Sequence, residues 1–251
     1  MFDAKKTANQ IIEFIRDYYK KNNLKGAVLG ISGGKDSAVV AGLFAKALGS
    51  ENVTGIWMPC HSKEEDKQDA IKLANHFGFE LKEFDLTNLY DNYVNQFNEI
   101  NNPFENEIKD ANINIKPRLR TATLYYYAAF LSKKNKGVYI VPGTSNKCEI
   151  YVGYFTKGGD DVADIKVLTD LTVEEVIKVG ETIGVPYEIV HKIPDDGLSG
   201  LSDEDKLGVK YSEIADVIDN NGINTPEEVK AKIYKLHQNN SHKFNTPTYK
   251  K

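Results

Sequence analysis

Eight consecutive residues, Gly30–Ile31–Ser32–Gly33–Gly34–Lys35–Asp36–Ser37, carry the densest chemistry in this 251-residue chain. They follow a short apolar run, Ala27–Val28–Leu29, and lead into a long one from Ser37 to Leu48, so the order reads strand, glycine turn, helix. Glycines let backbone N–H groups crowd around an anion. Ser32 and Ser37 add hydroxyl donors, and the following helix presents unpaired N–H groups at its positive end. The combination predicts a phosphate cradle. A Walker A loop would have Ser or Thr directly after the lysine, where Asp36 stands, and the GxGxxG fingerprint is not met. An acid inside an anion site makes sense if Asp36 holds Mg²⁺ against the phosphates while Lys35 neutralises a departing one. The competing reading is a glycine turn whose Asp or Ser caps a helix.

Two further segments could complete such a site. Of only three arginines, Arg118 and Arg120 fall together in Asn114–Ile115–Lys116–Pro117–Arg118–Leu119–Arg120, with Pro117 suited to the first turn of a helix beginning near Arg118. Cations there would face the unfavourable end of the helix dipole unless an anion joins them, the alternative being a solvated basic turn. The other segment is Pro142–Gly143–Thr144–Ser145–Asn146–Lys147–Cys148–Glu149, followed by Gly153–Tyr154–Phe155–Thr156–Lys157–Gly158–Gly159–Asp160. It leaves a predicted strand, Val138–Val141, just as the first loop does, and ligands of open α/β sheets sit beyond the carboxyl ends of strands. Glu149 could share a metal with Asp36, Thr144 could reach a phosphate or ribose, and Tyr154 or Phe155 could stack on a base. Read alone, the two aromatics are equally good core residues and Glu149 an exposed helix acid.

Together the three segments resemble the NAD synthetase family of the ATP pyrophosphatase group. SGGKDS identifies the superfamily; GTSNKCE, GYFTKGGDD and SDEDKLG are specific to the synthetase, and the similarity runs from about Gly30 to His242–Lys243. The resemblance implies an ammonia-dependent ligase that adenylates deamido-NAD with ATP and replaces AMP by ammonia, the last step of NAD biosynthesis. It implies Asp36 and Glu149 as Mg²⁺ ligands, and Gly30, Ile31, Ser32, Gly33, Gly34, Lys35, Asp36, Ser37 and Thr144 at ATP. Arg118, Lys157, Asp164, His242 and Lys243 then meet deamido-NAD, Asp160 lies near the ammonia site, and Asp36, Lys35 and Asp160 carry catalysis. A homodimer is implied as well. The chain departs from the common pattern at two ATP-contact positions, with Val173 in place of lysine and Asp195 in place of Ser or Thr.

The elements that must hold these residues follow from periodicity. An amphipathic helix reaches to about Asn22, strands are expected at Val53–Met58 and Glu80–Phe84, and helices at Glu64–Phe77 and Arg118–Leu131. A helix at Thr172–Gly184 carries a Thr172/Glu175 capping box, and two more are expected near Tyr211–Asn220 and Thr225–Gln238. Such alternation predicts an α/β fold, a Rossmann-like, doubly wound parallel sheet flanked by helices with further helices at the C-terminus, in a single domain over residues 1–251. Lys192–Gly208, polar and turn-rich, is expected to be a mobile cover for the active site.

Composition bounds the partners. The chain is 41% hydrophobic with a net charge of −4, which predicts neither wholesale nucleic-acid binding nor attraction to anionic membranes. No apolar run reaches the roughly 18–20 residues of a membrane span, so a cytoplasmic location is expected. The two cysteines, Cys60 and Cys148, lie far apart without a CxxC pairing, which argues against a disulfide framework or a Cys-rich zinc site. The length leaves no expected room for a glutaminase domain, so free ammonia is the expected nitrogen source. Rival readings are a tRNA-modifying or sugar-amidating ligase with the same loop, and a nucleotide sensor without turnover.

Overall fold

Ala27, Val28 and Leu29 are each fully buried, as a strand covered on both faces requires. They lie in β1 (Leu24–Gly30) of a computed structural model that describes residues 2–192, 202–244 and 246–249. β1 pairs in parallel with β2 (Val53–Trp57) on one side and β4 (Val138–Ile140) on the other, and β3 (Glu80–Glu83) extends the sheet beyond β2. The order is β3-β2-β1-β4, all parallel. A short parallel pair, β5 (Pro142–Gly143) with β6 (Ile165–Lys166), continues past the end of β4. The expected doubly wound parallel sheet is therefore present.

Alternate residues of β1 feed two cores, because side chains of a strand point to opposite faces. Ala27 and Leu29 join one that contains Ile15 and Tyr19 of α1 (Ala4–Lys21), Val39, Leu43 and Phe44 of α2 (Lys35–Leu48), and Val176 and Val179 of α7 (Val173–Ile183). Val28 joins the other, with Ile56 of β2 and Leu124, Ala128 and Leu131 of α5 (Glu105–Lys134). Each fully buried aliphatic or aromatic side chain contributes roughly 1.5–3 kcal/mol. Arg16 of α1 donates from Nε and Nη2 to Ala47 and Lys46 carbonyls, satisfying the C-terminal end of α2 and fixing the helix that begins at the glycine turn.

A third cluster holds the carboxyl-side elements. Cys148 and Val152 of α6 (Lys147–Val152) pack with Ile214 of α10 (Tyr211–Asn220) and Ile233 of α11 (Glu227–Asn239). Val173 packs against this cluster, which gives the apolar residue at that position a structural use. Thr172 caps α7 reciprocally with Glu175, and Gly184 ends it in a left-handed conformation, as the pattern predicts.

Three expectations need correction. The helix expected to begin near Arg118 begins at Glu105, so Pro117 lies inside α5 and the arginines are not at a helix N-terminus. Its start is fastened by Glu107, whose carboxylate accepts from the Phe104 N–H, and a phenylalanine N-cap leaves no recognisable signal. The helix α4 (Thr87–Asn101) was not anticipated: its apolar residues Leu89, Tyr93, Phe97 and Ile100 are exposed and interleaved with asparagines, which are weak helix formers. Within the segment expected to be a cover, α9 (Asp203–Leu207) is helical, capped by Ser202, while residues 193–201, Asp195 among them, lie outside the described residues. Short helices α8 (Tyr187–Val190) and α12 (Ser241–Phe244) complete the chain.

Candidate active site

The turn between β1 and α2 owes its shape to its serines and to Gly33. Ser37 Oγ donates to the Gly34 carbonyl at 3.0 Å and lies 3.0 Å from Ser32 Oγ, which accepts from the Gly34 N–H at 3.2 Å. Gly33 has φ +81°, and a Cβ there would lie 2.7 Å from the Asp66 carbonyl oxygen, so only glycine fits against the first turn of α3 (Glu64–Phe77). Gly34 stands as N-cap of α2, leaving the helix's first N–H groups toward the turn.

Asp36 is tied to the second loop through Asn146. Asn146 Nδ2 donates to Asp36 Oδ1 at 3.2 Å, its Oδ1 accepts from the Glu149 N–H, and its own N–H donates to Glu149 Oε2 at 3.0 Å. One side chain therefore caps α6 and brings Asp36 and Glu149 together. Burial, and next the charge of Asp36, push the Glu149 carboxyl well above its ordinary range; the Asn146 N–H and Lys35 oppose them. A divalent cation between the two carboxylates would remove that cost. Among the described residues no group of three or more His, Cys, Asp or Glu converges, and Mg²⁺ suits a site with few carboxylates and phosphates for the remaining positions. The residues fit the ion. Lys35 is 4% exposed, with its ammonium 3.5 Å from Asp36 Oδ2 and 5.9 Å from the centre of the Tyr211 ring.

Both loops open on one cavity of about 730 Å³, lined by Gly30 to Ser37, Thr144, Glu149, Asp160 and Lys243, with Trp57 and Met58 at the end of β2. Asp160 accepts from the Thr156 N–H at 2.9 Å; exclusion of water by the surrounding protein raises its pKa even though the residue keeps an open face to the cavity. Lys243 donates to the Gly153 and Phe155 carbonyls at 2.8 and 2.9 Å, and burial lowers its pKa against the pull of Asp160 and Asp161. Gly153 has φ +69°, and a Cβ there would lie 2.4 Å from Asn240 Cβ, so the loop is pressed onto the chain between α11 and α12.

Arg118, Lys157, Asp164 and His242 do not line this cavity. Arg118 donates to the Lys157 carbonyl from Nε and Nη2, and Lys157 Nζ donates to the His242 carbonyl at 2.9 Å, a ladder along the exposed outer side of the loop. Asp164 Oδ2 accepts from the Val141 N–H at 2.8 Å and the carboxylate also meets Tyr125, whose hydroxyl is pushed up to about 12, chiefly by burial. Tyr154 and Phe155 have protein partners: the Tyr154 hydroxyl donates to Asp203, and the Phe155 ring lies 6.2 Å from that of Phe244. Sequence reasoning missed Asn146 and left Arg120 without a role. The Asn146-x-x-Glu149 spacing of a capping box would have found the first.

The family model for NAD synthase matches residues 7–247. The chain belongs to the NAD synthase family. Relatives within it include the NH(3)-dependent NAD(+) synthetase of Finegoldia magna, 41% identical over 217 residues, covering 86% of this chain and 85% of that one. The enzyme of the same name from Alkaliphilus oremlandii is 36% identical over 250 residues, with 98% and 96% covered. Among solved structures, NMN synthetase from Francisella tularensis superposes with a TM-score of 0.87 at 32% identity over 100% of this chain and 99% of its own. NH3-dependent NAD synthetase from Campylobacter jejuni gives 0.80 at 25% identity over the whole of both chains. In this member of the NAD synthase family the turn, the pair of acids and the cavity form one connected arrangement.

Proposed function

We propose that the chain is a single-domain, ammonia-dependent ligase that amidates deamido-NAD at the expense of ATP, the final step of NAD biosynthesis. The observation that carries this is the Asp36–Asn146–Glu149 linkage: two carboxylates that repel one another, held at the mouth of a phosphate-shaped turn. Family membership and the relatives' names support the same reaction.

The residues support an adenylation route. The Gly30–Ser37 turn holds the β- and γ-phosphates, with Lys35 neutralising the pyrophosphate as it leaves. Asp36 and Glu149 would hold Mg²⁺, which would supply positive charge to screen the phosphates. A nicotinate carboxylate oxygen bonds to the α-phosphorus as the bond to the β-phosphate oxygen breaks. Ammonia then bonds to the carbonyl carbon, the C–O bond to AMP breaks, and the proton lost by nitrogen passes to Asp160, whose raised pKa suits a proton acceptor. Positioning and charge neutralisation suffice, and no side-chain nucleophile is required.

Thr144 is assigned to ATP and Lys243 to the acceptor inside the cavity. The outer ladder of Arg118, Lys157 and His242, with Asp164, is assigned to the part of the dinucleotide that extends beyond it. A homodimer would cover that part and the apolar face of α4, where Tyr93 is 53% exposed and Phe97 44%. No helix among the described residues is long and apolar enough to cross a membrane, and a cytoplasmic location fits the substrates.

A second reading is favoured by the likeness to an NMN synthetase: amidation of nicotinate mononucleotide, which needs the same chemistry and less of the outer ladder. Purified protein supplied with Mg²⁺–ATP, ammonium and either acceptor decides both points. Amide formed on deamido-NAD with AMP and pyrophosphate released supports the proposal; a higher kcat/KM on the mononucleotide selects the second reading. Release of ADP and orthophosphate would end both.

A further inference from the structure

We propose that Arg120 is a catalytic residue that grips the α-phosphoryl group while it passes from pyrophosphate to the acceptor carboxylate, an inference that rests on the ATP-dependent reading above. One face of α5 forms a wall of the cavity, with Ile113, Lys116, Pro117, Arg120 and Leu124 at the i, i+3, i+4, i+7, i+11 spacing of one helix face. Arg118, two residues away from Arg120, turns off that face to the Lys157 carbonyl.

The three arginines contrast in how they are satisfied. Arg16 and Arg118 each donate twice to backbone carbonyls, and Arg16 also pairs with Glu13. Arg120 makes one long bond, Nε to the Met58 carbonyl at 3.4 Å, and among the described residues no carboxylate lies within ion-pairing distance of it. The residue is partly buried in the cavity wall, and an anion in the cavity could take up the donors that the Met58 carbonyl leaves unused. Burial weakens its hold on its proton, and the carboxylates whose fields oppose that effect include Asp66 and Asp160.

Two contacts of α5 locate the group. A Cβ at Gly30 of the phosphate turn would lie 3.5 Å from Leu124 Cδ1, and one at Gly159, next to Asp160, 3.1 Å from Pro117 Cβ, so Arg120, between Pro117 and Leu124 on the cavity face of the helix, stands between the two halves of the cavity. The anionic group that must occupy that boundary in every stage of the reaction is the α-phosphoryl: in ATP, in the acyl adenylate and in AMP. A planar fork of N–H donors matches two of its oxygens, and an arginine stays charged while the phosphorus changes partners.

Calorimetry with AMP as the probe, on the full chain and on Arg120→Lys and Arg120→Ala, tests the assignment. Removing the fork should weaken AMP binding about 10–100-fold. It should lower kcat for amide formation about 100–1,000-fold, with deamido-NAD affinity unchanged and guanidinium ion restoring part of the Ala variant's turnover. Unchanged AMP affinity overturns the proposal, as does a loss confined to deamido-NAD, which would assign Arg120 to the acceptor carboxylate. Should neither variant fold, AMP must protect Arg120 of the unaltered chain from modification by phenylglyoxal, mapped by mass spectrometry, and failure to protect overturns the assignment. Turnover of the unaltered chain on deamido-NAD, measured alongside, separates that failure from failure of the ligase reading.

Discussion

At the scale of single residues, the decisive feature is a pair of acids, Asp36 and Glu149, whose nearness in a buried setting costs stability while both are charged. Because the folded-state pKa of Glu149 lies well above its ordinary 4.5, the native chain binds more protons than the unfolded one in the window above that value. Metal-free stability from this group is therefore greatest at low pH and falls as pH rises through the raised pKa. Glu149→Gln should flatten that fall, melting no lower than the parent at about pH 8, while turnover drops at least about 100-fold. A melting curve that collapses in the variant would assign Glu149 to the scaffold. Arg118→Ala should instead raise KM for the acceptor about tenfold and leave the KM for ATP alone, which steady-state kinetics with each substrate varied will read. The strand–turn–helix at Gly30–Ser37 and its meeting with the segment of Glu149 were legible because local glycines and hydroxyls and the ends of neighbouring strands define them. Which of Arg118 and Arg120 faces the cavity was not, since that depends on where α5 begins.

The loop over residues 153–160 is held as an element by the chain that follows α11. Asn240 Nδ2 donates to the Val152 carbonyl, Lys243 Nζ to those of Gly153 and Phe155, and no Cβ fits at Gly153. Gly153→Ala adds strain in a left-handed conformation and overlaps Asn240, so it should cost about 1–3 kcal/mol and lower Tm in a thermal scan. Its kcat should fall as well, since the same loop carries Asp160. An unaltered Tm would mean that the C-terminal chain yields easily. Helices with a capping pattern and a buried stripe, such as α7, were readable to within a residue. α4 and the first half of α5 were not, because Asn-rich turns and a phenylalanine N-cap hide a helix whose apolar side is exposed.

For the whole molecule, the alternation of elements sufficed for the parallel sheet, while the β5–β6 pair is too short for any periodicity to reveal. The exposed apolar residues of α4 are spaced four apart, Leu89, Tyr93 and Phe97, and make a continuous stripe. If a second copy covers it, Tyr93→Glu should convert the dimer to monomer in analytical ultracentrifugation, since a desolvated charge opposes association by several kcal/mol. A parent chain that sediments as a monomer removes the homodimer from the proposal.

Asn146 lies 110 residues from Asp36 along the chain yet touches it, and the same amide fastens the first turn of α6. A nucleotide that reorganises Asp36 must therefore be felt at the start of that helix. In hydrogen–deuterium exchange, filling the glycine turn should register as slower solvent exchange at the Glu149 amide, making α6 a reporter of occupancy that needs no label on the ligand.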